Sequence, residues 1–285
     1  MKLSLSTLFL SFAVALGRPG TSSTSVAHAG ATPVVGARQG QQGECVEAQQ
    51  APAVTGSELR KFGVVLFPGF DMIDVFGTLE PLQLMAHLEQ QMTLSLIAET
   101  LEPVTTETQA PGSNAKGSIF WPKALPNNTF KDDLDLDVLI VPGGPGVRNP
   151  DLPAVTEYIA KMFPKVKILI TICTGSGLAA RAGILDGKMA TTNKNAWKTI
   201  LPMGPQVKWV SPARYIVDGK IWTSSGVTSS LDLVMQFIKT FWSPDTERRI
   251  SSIIEHVPRQ WNEDPFSKHF NITPTEVQPC PDRKQ

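Results

Sequence analysis

Apolar positions along the chain fall into two alternating patterns, short continuous runs and longer stretches at helical spacing. Phe62 to Phe67 is an unbroken apolar run closed by Pro68-Gly69, the pattern of a strand covered on both faces of a parallel sheet. Asp74 to Leu88 follows with Val75, Leu79, Leu82 and Met85 on one helical face, and Pro81 is the residue that sits badly in a helix interior. Met92 to Ala98 reads as the next strand. The alternation recurs with Val138 to Val141 as strand, Leu152 to Phe163 as helix, Lys167 to Ile172 as strand and Gly175 to Ala182 as helix. Arg214 to Val217 and Ile221 to Ser224 flank Asp218-Gly219, a hairpin signal, and Val227 to Phe241 is a long amphipathic helix. Strands alternating with helices predict an α/β domain with an open, doubly wound parallel sheet. In such sheets ligands bind beyond the carboxyl ends of the strands. Three segments reach such ends: Pro68 to Asp74, Pro142 to Gly146 and Cys173 to Gly177.

The two ends of the chain lack this pattern. A short cationic start precedes the apolar run Leu8 to Leu16, which is of signal-peptide length and too short to span a bilayer. Residues 1–29 are therefore expected to be a signal peptide and the protein to be secreted. Cleavage after Ala27-His28-Ala29 or after Ala15-Leu16-Gly17 is equally open. Residues 30–60, rich in Gly, Gln, Ala and Pro, are expected to form a flexible leader. One domain over residues 61–257 remains, with a tail over 258–285 in which Trp261, Phe266 and Phe270 suggest partial packing on the domain surface. Two sequons, at Asn127 and Asn271, agree with secretion as glycosylation sites.

Charge narrows the range of partners. In 285 residues, Lys plus Arg (26) equals Asp plus Glu (26), so no basic excess draws the chain to nucleic acid. No segment after the signal peptide has transmembrane length, so no membrane association is expected after processing. The three cysteines are Cys45, Cys173 and Cys280. In an oxidising compartment Cys45 and Cys280 can pair, which leaves Cys173 as the odd thiol.

Cys173 follows the buried run Ile168 to Ile172 and precedes Thr174-Gly175-Ser176-Gly177, at a sharp strand-to-helix turn. A helix N-terminus there is expected to lower the thiol pKa, and its free N–H groups to hold an oxyanion. The plainer alternative is a small buried hydrophobe. Pro142 to Gly146 ends the neighbouring strand and offers the Gly144 N–H as an oxyanion donor, although glycine-rich strand ends are also common simple turns. The segment lacks the spacing and the Lys of a phosphate-cradling loop. Asp71 and Asp74 follow the Pro68-Gly69 turn and are candidates to face the thiol, or else are helix caps. Glu80 is a further carboxylate within the following helix. The histidines are His28, His87, His256 and His269, none of them at a strand end, and no metal-ligand spacing is present. Neither cofactor nor metal is expected.

Taken together, Leu66-Phe67-Pro68-Gly69 with Asp74, Val141-Pro142-Gly143-Gly144, and Ile172-Cys173-Thr174-Gly175-Ser176 resemble the ThiJ/PfpI superfamily, the class I glutamine amidotransferase-like fold. Ala190-Thr191-Thr192 after Leu185-Asp186-Gly187-Lys188, and Gly226-Val227-Thr228 before Leu231-Asp232, resemble its isonitrile hydratase-like branch. The resemblance covers the whole domain. It implies a single-domain, flavodoxin-like sandwich, usually a homodimer, acting on a small-molecule substrate with Cys173 as nucleophile, Asp74 orienting water or relaying a proton, and Thr174 supporting the intermediate. The implied chemistry is attack of the thiolate on an isonitrile carbon, followed by hydrolysis of the thioimidate to an N-substituted formamide. Two positions depart from the pattern: Asn193 stands where many members carry His, and Thr78 where Pro is common. Without that imidazole a Cys-His protease or amidase is disfavoured. The competing class is a non-catalytic binding or redox-responsive protein in which Cys173 is oxidised. The tail is too short and too Pro-rich for a DNA-binding helix-turn-helix.

Overall fold

The computed structural model describes Cys45 and residues 50–109 and 112–280. The expected signal peptide, with its cleavage sites and His28, and most of the leader lie outside these residues. Seven strands form the central sheet: β1 (Lys61–Val65), β2 (Thr93–Ala98), β3 (Asn128–Thr129), β4 (Val138–Val141), β5 (Ile168–Thr171), β6 (Tyr215–Asp218) and β7 (Ile221–Ser224). Their order is β6-β7-β5-β4-β1-β2-β3, and all pairings are parallel except the β6–β7 hairpin. This is the flavodoxin-like α/β sheet. β4 and β5 are buried along their whole length, which is why they read as continuous Val-Leu-Ile runs with no alternation. After β2 and β3 the chain crosses back to the other side of β1. The carboxyl ends of β1, β4 and β5 therefore lie side by side at the switch in winding direction, where doubly wound sheets form their crevice.

Helices cover both faces: α1 (Thr78–Leu88), α2 (Pro153–Met162), α3 (Gly175–Arg181), α4 (Ser229–Phe241) and α5 (Pro244–Ile253). The apolar face of α4 sets Phe237 and Phe241 edge-on to each other at 5.0 Å and Phe237 against Trp222 at 5.5 Å. Such contacts add to the area these rings bury. Pro81 does not break α1. It lies in its first turn and has no N–H to offer the carbonyl four residues back, and directly before α1 the chain widens into a π-helical turn, Ile73–Gly77. Asp74 sits in that turn.

Both chain ends pack on the domain more closely than their composition suggests. Leu59, within the expected leader, is fully buried, a burial that favours the fold by about 2 kcal/mol. A Cβ on Gly56 would lie 2.3 Å from the Trp242 ring, so the chain can cross there only with glycine. In the tail, the Trp261 carbonyl accepts from Arg214 N (2.6 Å), Ser267 Oγ shares a hydrogen bond with Ser211 Oγ (2.7 Å) and Thr275 N donates to the Ser211 carbonyl (2.8 Å). Cys45 and Cys280 form a disulfide. Of the sequon asparagines, Asn127 uses its side chain to bridge β2, accepting from Leu96 N and donating to the Leu94 carbonyl, whereas Asn271 is exposed.

The disulfide closes a loop of 235 residues, for which chain entropy sets a ceiling of about 5 kcal/mol. Replacing Cys280 with Ser is expected to lower the urea midpoint within that ceiling. An unchanged midpoint would show that the non-covalent contacts of the tail suffice.

Candidate active site

Three strand ends converge on the Cys173 thiol. Cys173 adopts φ 57°, a left-handed conformation that costs a side-chain-bearing residue about 1–2 kcal/mol and marks a nucleophile elbow. Its carbonyl accepts from Thr192 Oγ1 (3.0 Å) and Ser176 Oγ (3.2 Å), so the strained turn is held from two sides. Asn193 Nδ2 donates to the sulfur at 3.1 Å while its Oδ1 accepts from Ala196 N. The Ala196 N–H requires an oxygen, which fixes the amide with its nitrogen toward sulfur.

Asp74 reaches the site from the end of β1. It is fully buried, its Oδ2 accepts from Gly143 N at 2.8 Å, its Oδ1 has no hydrogen-bond partner, and its carboxyl interacts with the Cys173 thiol. Only glycine fits at position 143. A Cβ there would lie 2.5 Å from Thr174 N, 2.6 Å from Thr174 Oγ1 and 2.9 Å from Asp74 Oδ2. Gly144 N donates to Thr174 Oγ1 at 2.9 Å and the hydroxyl donates back to the Gly144 carbonyl at 3.2 Å.

Burial dominates the electrostatics. It raises the Asp74 pKa to about 8, with the Asp71 charge adding to the rise and the Gly143 and Cys173 hydrogen bonds opposing it. Asp74 is thus largely protonated at neutral pH. Burial also pushes the Cys173 thiol up, and the Asp74 charge adds to that, against donation from Asn193 and from the Thr174 backbone. This corrects the expectation of a thiol lowered by its helix terminus: at 4% exposure, the cost of desolvating a thiolate outweighs the partial charge of the short helix α3. The arrangement is a neutral carboxyl beside a neutral thiol.

Other expected residues are placed differently. The Gly144 N–H is taken by Thr174 and offers nothing to an oxyanion in this arrangement. Glu80 is exposed on α1, and Asp71 accepts from Ile73 N while acting on Asp74 by its charge. His256 pairs with Asp232, His269 packs on Phe270 and His87 is exposed. Sequence reading noticed Asn193 as a departure from pattern, without seeing that it bonds the sulfur. It missed Lys194, which is 3% exposed. Lys194 Nζ donates to Thr191 Oγ1, the Thr192 and Ala213 carbonyls and Ser225 Oγ, and lies 3.5 Å from Asp264 Oδ2 of the tail. A lysine in a polar loop carries no signal of burial in its local sequence.

Comparison with known proteins gives the family. Residues 60–240 match the DJ-1/PfpI family. An isonitrile hydratase from Pseudomonas putida is 29% identical over 199 residues, 70% of this chain and 79% of that protein. A deglycase from Pyrococcus horikoshii is 34% identical over 136 residues, 47% of this chain and 75% of that one. An HTH-type transcriptional regulator from Pseudomonas aeruginosa is 26% identical over 190 residues, and the chain spans 53% of its length. Among solved structures, a ThiJ/PfpI family protein from Pseudomonas syringae superposes with a TM-score of 0.58 at 20% identity, covering 81% of this chain and 84% of that one, a likeness of fold.

The raised Asp74 pKa fixes a pH dependence of stability. An unfolded aspartate loses its proton near pH 4, whereas the folded one keeps it to about 8. Between these values the native state holds more protons, so stability falls as pH rises, by roughly 1.4 kcal/mol per pH unit at most. Lys194, whose pKa burial lowers to about 8, acts in the opposite sense above that window. Urea unfolding at pH 5, 6 and 7 is expected to show the decline in the wild type and a flatter profile in Asp74→Asn. Parallel profiles would mean that Asp74 is ionised in the fold. Gly143→Ala is expected to destabilise by about 2 kcal/mol or more through overpacking, read from the same unfolding curves.

Proposed function

This chain belongs to the DJ-1/PfpI family, and from that premise we propose that it is a cysteine-dependent hydratase converting an isonitrile to an N-substituted formamide. The observation that carries the reading is the pairing of the Cys173 thiol with a buried Asp74 carboxyl whose pKa stands at about 8. Isonitrile carbon is both a proton acceptor and an electrophile, so addition requires an acid and a nucleophile at a single atom. Asp74 gives its proton to that carbon, sulfur bonds to the same carbon, and the thiol proton passes to the carboxylate, leaving a neutral thioimidate and a reprotonated Asp74. This relay needs no free-standing thiolate, in keeping with a thiol whose pKa is raised. Asn193 donates to sulfur as charge builds there. Water then adds to the imidate carbon, one of its protons goes to nitrogen, and the carbon–sulfur bond breaks as sulfur recovers a proton. The products are the formamide and the starting thiol. The isonitrile hydratase relative supports the substrate class. The position of Thr174, bonded both ways to Gly144, suits a role in holding the strand ends around the intermediate.

A thiol with these neighbours is poorly equipped for amide hydrolysis, which requires a base able to shuttle a proton to a departing amine. Purified, disulfide-intact protein incubated with a panel of alkyl and aryl isonitriles is expected to release the matching formamides, measured by mass spectrometry. Cys173→Ser is expected to abolish turnover, and Asp74→Asn to lower kcat by about 100-fold or more. Because the protonated carboxyl is the active form, kcat/KM is expected to fall as pH rises through about 8. Absence of turnover in the wild type, or its survival in Cys173→Ser, would overturn the reading. In the former case, oxidation of Cys173 by peroxide would favour a redox-responsive protein.

A further inference from the structure

A cavity of about 240 Å³ lies between the loop that carries Asn193, the segment around Gly226 and Val227, and two aromatic side chains of the tail, Phe266 and Phe270. Asn193 belongs to both places: it lines the cavity and donates to the Cys173 sulfur. A molecule seated in the cavity therefore contacts the residue that touches the nucleophile. We infer that this cavity is the subsite for the apolar substituent of the substrate, and that the tail, through Phe266 and Phe270, sets the size and aromatic character of what is accepted. The inference rests on Cys173 being the nucleophile of the proposed reaction.

Several observations support it. Phe266 and Phe270 are 46% and 38% exposed, so their rings are not there to complete the core, and large apolar groups held in solvent contact commonly mark a binding surface. The tail holds them in place. Asp264 Oδ1 accepts from Phe266 N (2.9 Å), its Oδ2 accepts from Ser267 Oγ (2.5 Å), and the same carboxylate pairs with the buried Lys194 ammonium next to Asn193. One buried ion pair thus ties the aromatic wall to the loop that touches sulfur. Breaking such a pair leaves an uncompensated buried charge, so the two walls keep their spacing. The volume suits a single ring, since a cavity of roughly 150 Å³ already holds benzene. Both phenylalanines lie beyond the 60–240 segment that matches the family.

The inference is tested on the nucleophile itself, with two reagents of equal intrinsic chemistry and different size: iodoacetamide and N-benzyliodoacetamide. With Cys45 and Cys280 in their disulfide, Cys173 is the remaining thiol of the chain, and intact mass reports its alkylation. At pH 8 the wild type is expected to react about tenfold faster with the benzyl reagent, a ratio equivalent to about 1.4 kcal/mol of ring binding. Phe266→Ala/Phe270→Ala is expected to bring that ratio close to one and leave the iodoacetamide rate nearly unchanged. Phe266→Leu/Phe270→Leu, which keeps apolar bulk and guards against loss of folding, is expected to fall between. Equal rates in the wild type, or a benzyl preference that survives both alanines, would overturn the subsite while leaving Cys173 as nucleophile. Failure of Cys173 to react with either reagent, even at raised pH, would overturn the subsite, because a ring seated in the cavity would then not reach the sulfur; the proposed reaction, which runs from the neutral thiol, is judged separately by formamide release.

Discussion

Burying an ionisable carboxyl against a thiol is the constraint around which this molecule is organised. Asp74 can occupy its place only because Gly143 has no side chain, which lets the β4 end come close enough for a backbone N–H to meet Oδ2 at 2.8 Å. The same approach brings Thr174 against Gly144 and so fixes the elbow that presents Cys173. The Gly143 N–H and the neighbouring thiol offset only part of the desolvation of a charged carboxylate, so the group stays neutral well above its ordinary range. A more generous set of donors would have produced an ionised aspartate. The sparse solvation of Asp74 is what makes it an acid at neutral pH.

The elbow shows how competing local effects are decided. Seen from the chain alone, a cysteine ahead of a helix is a candidate for a lowered pKa. That argument presumes an exposed helix terminus, and α3 is seven residues long and buried for most of its length. With almost no water at the sulfur, the loss of solvation dominates, and the short helix together with the Asn193 amide only moderates it. Reactivity then depends on moving protons within the carboxyl–thiol pair more than on storing a thiolate.

Much of the architecture was legible in the sequence because parallel strands buried on both faces leave an unmistakable mark. Val138 to Val141 reads as a strand and is one, and the elbow motif Ile172-Cys173-Thr174-Gly175 places its cysteine at the sheet crest. The occupancy of donors and acceptors was not legible. Whether the Gly144 N–H is free or bonded to Thr174 depends on angles within a turn, which residue types do not encode. Burial of Lys194 was equally hidden, because its partner Asp264 lies 70 positions further on, in a segment whose composition reads as a loop. The π-helical turn at Asp74 had a faint signal in Pro81, whose missing N–H disturbs the helix it enters.

The contacts between Lys194 and the tail bear on where this protein begins and ends as a folding unit. The segment that matches the family ends at residue 240, a boundary that would tempt anyone preparing a minimal fragment. Cutting there removes α5 and Asp264 and leaves the Lys194 ammonium, 3% exposed in the intact chain, facing hydroxyls and carbonyls without its anion. It also frees Cys45 from its disulfide partner and uncovers the Asn193 loop. The segment that matches the family and the segment that satisfies the buried Lys194 charge are therefore different lengths of chain.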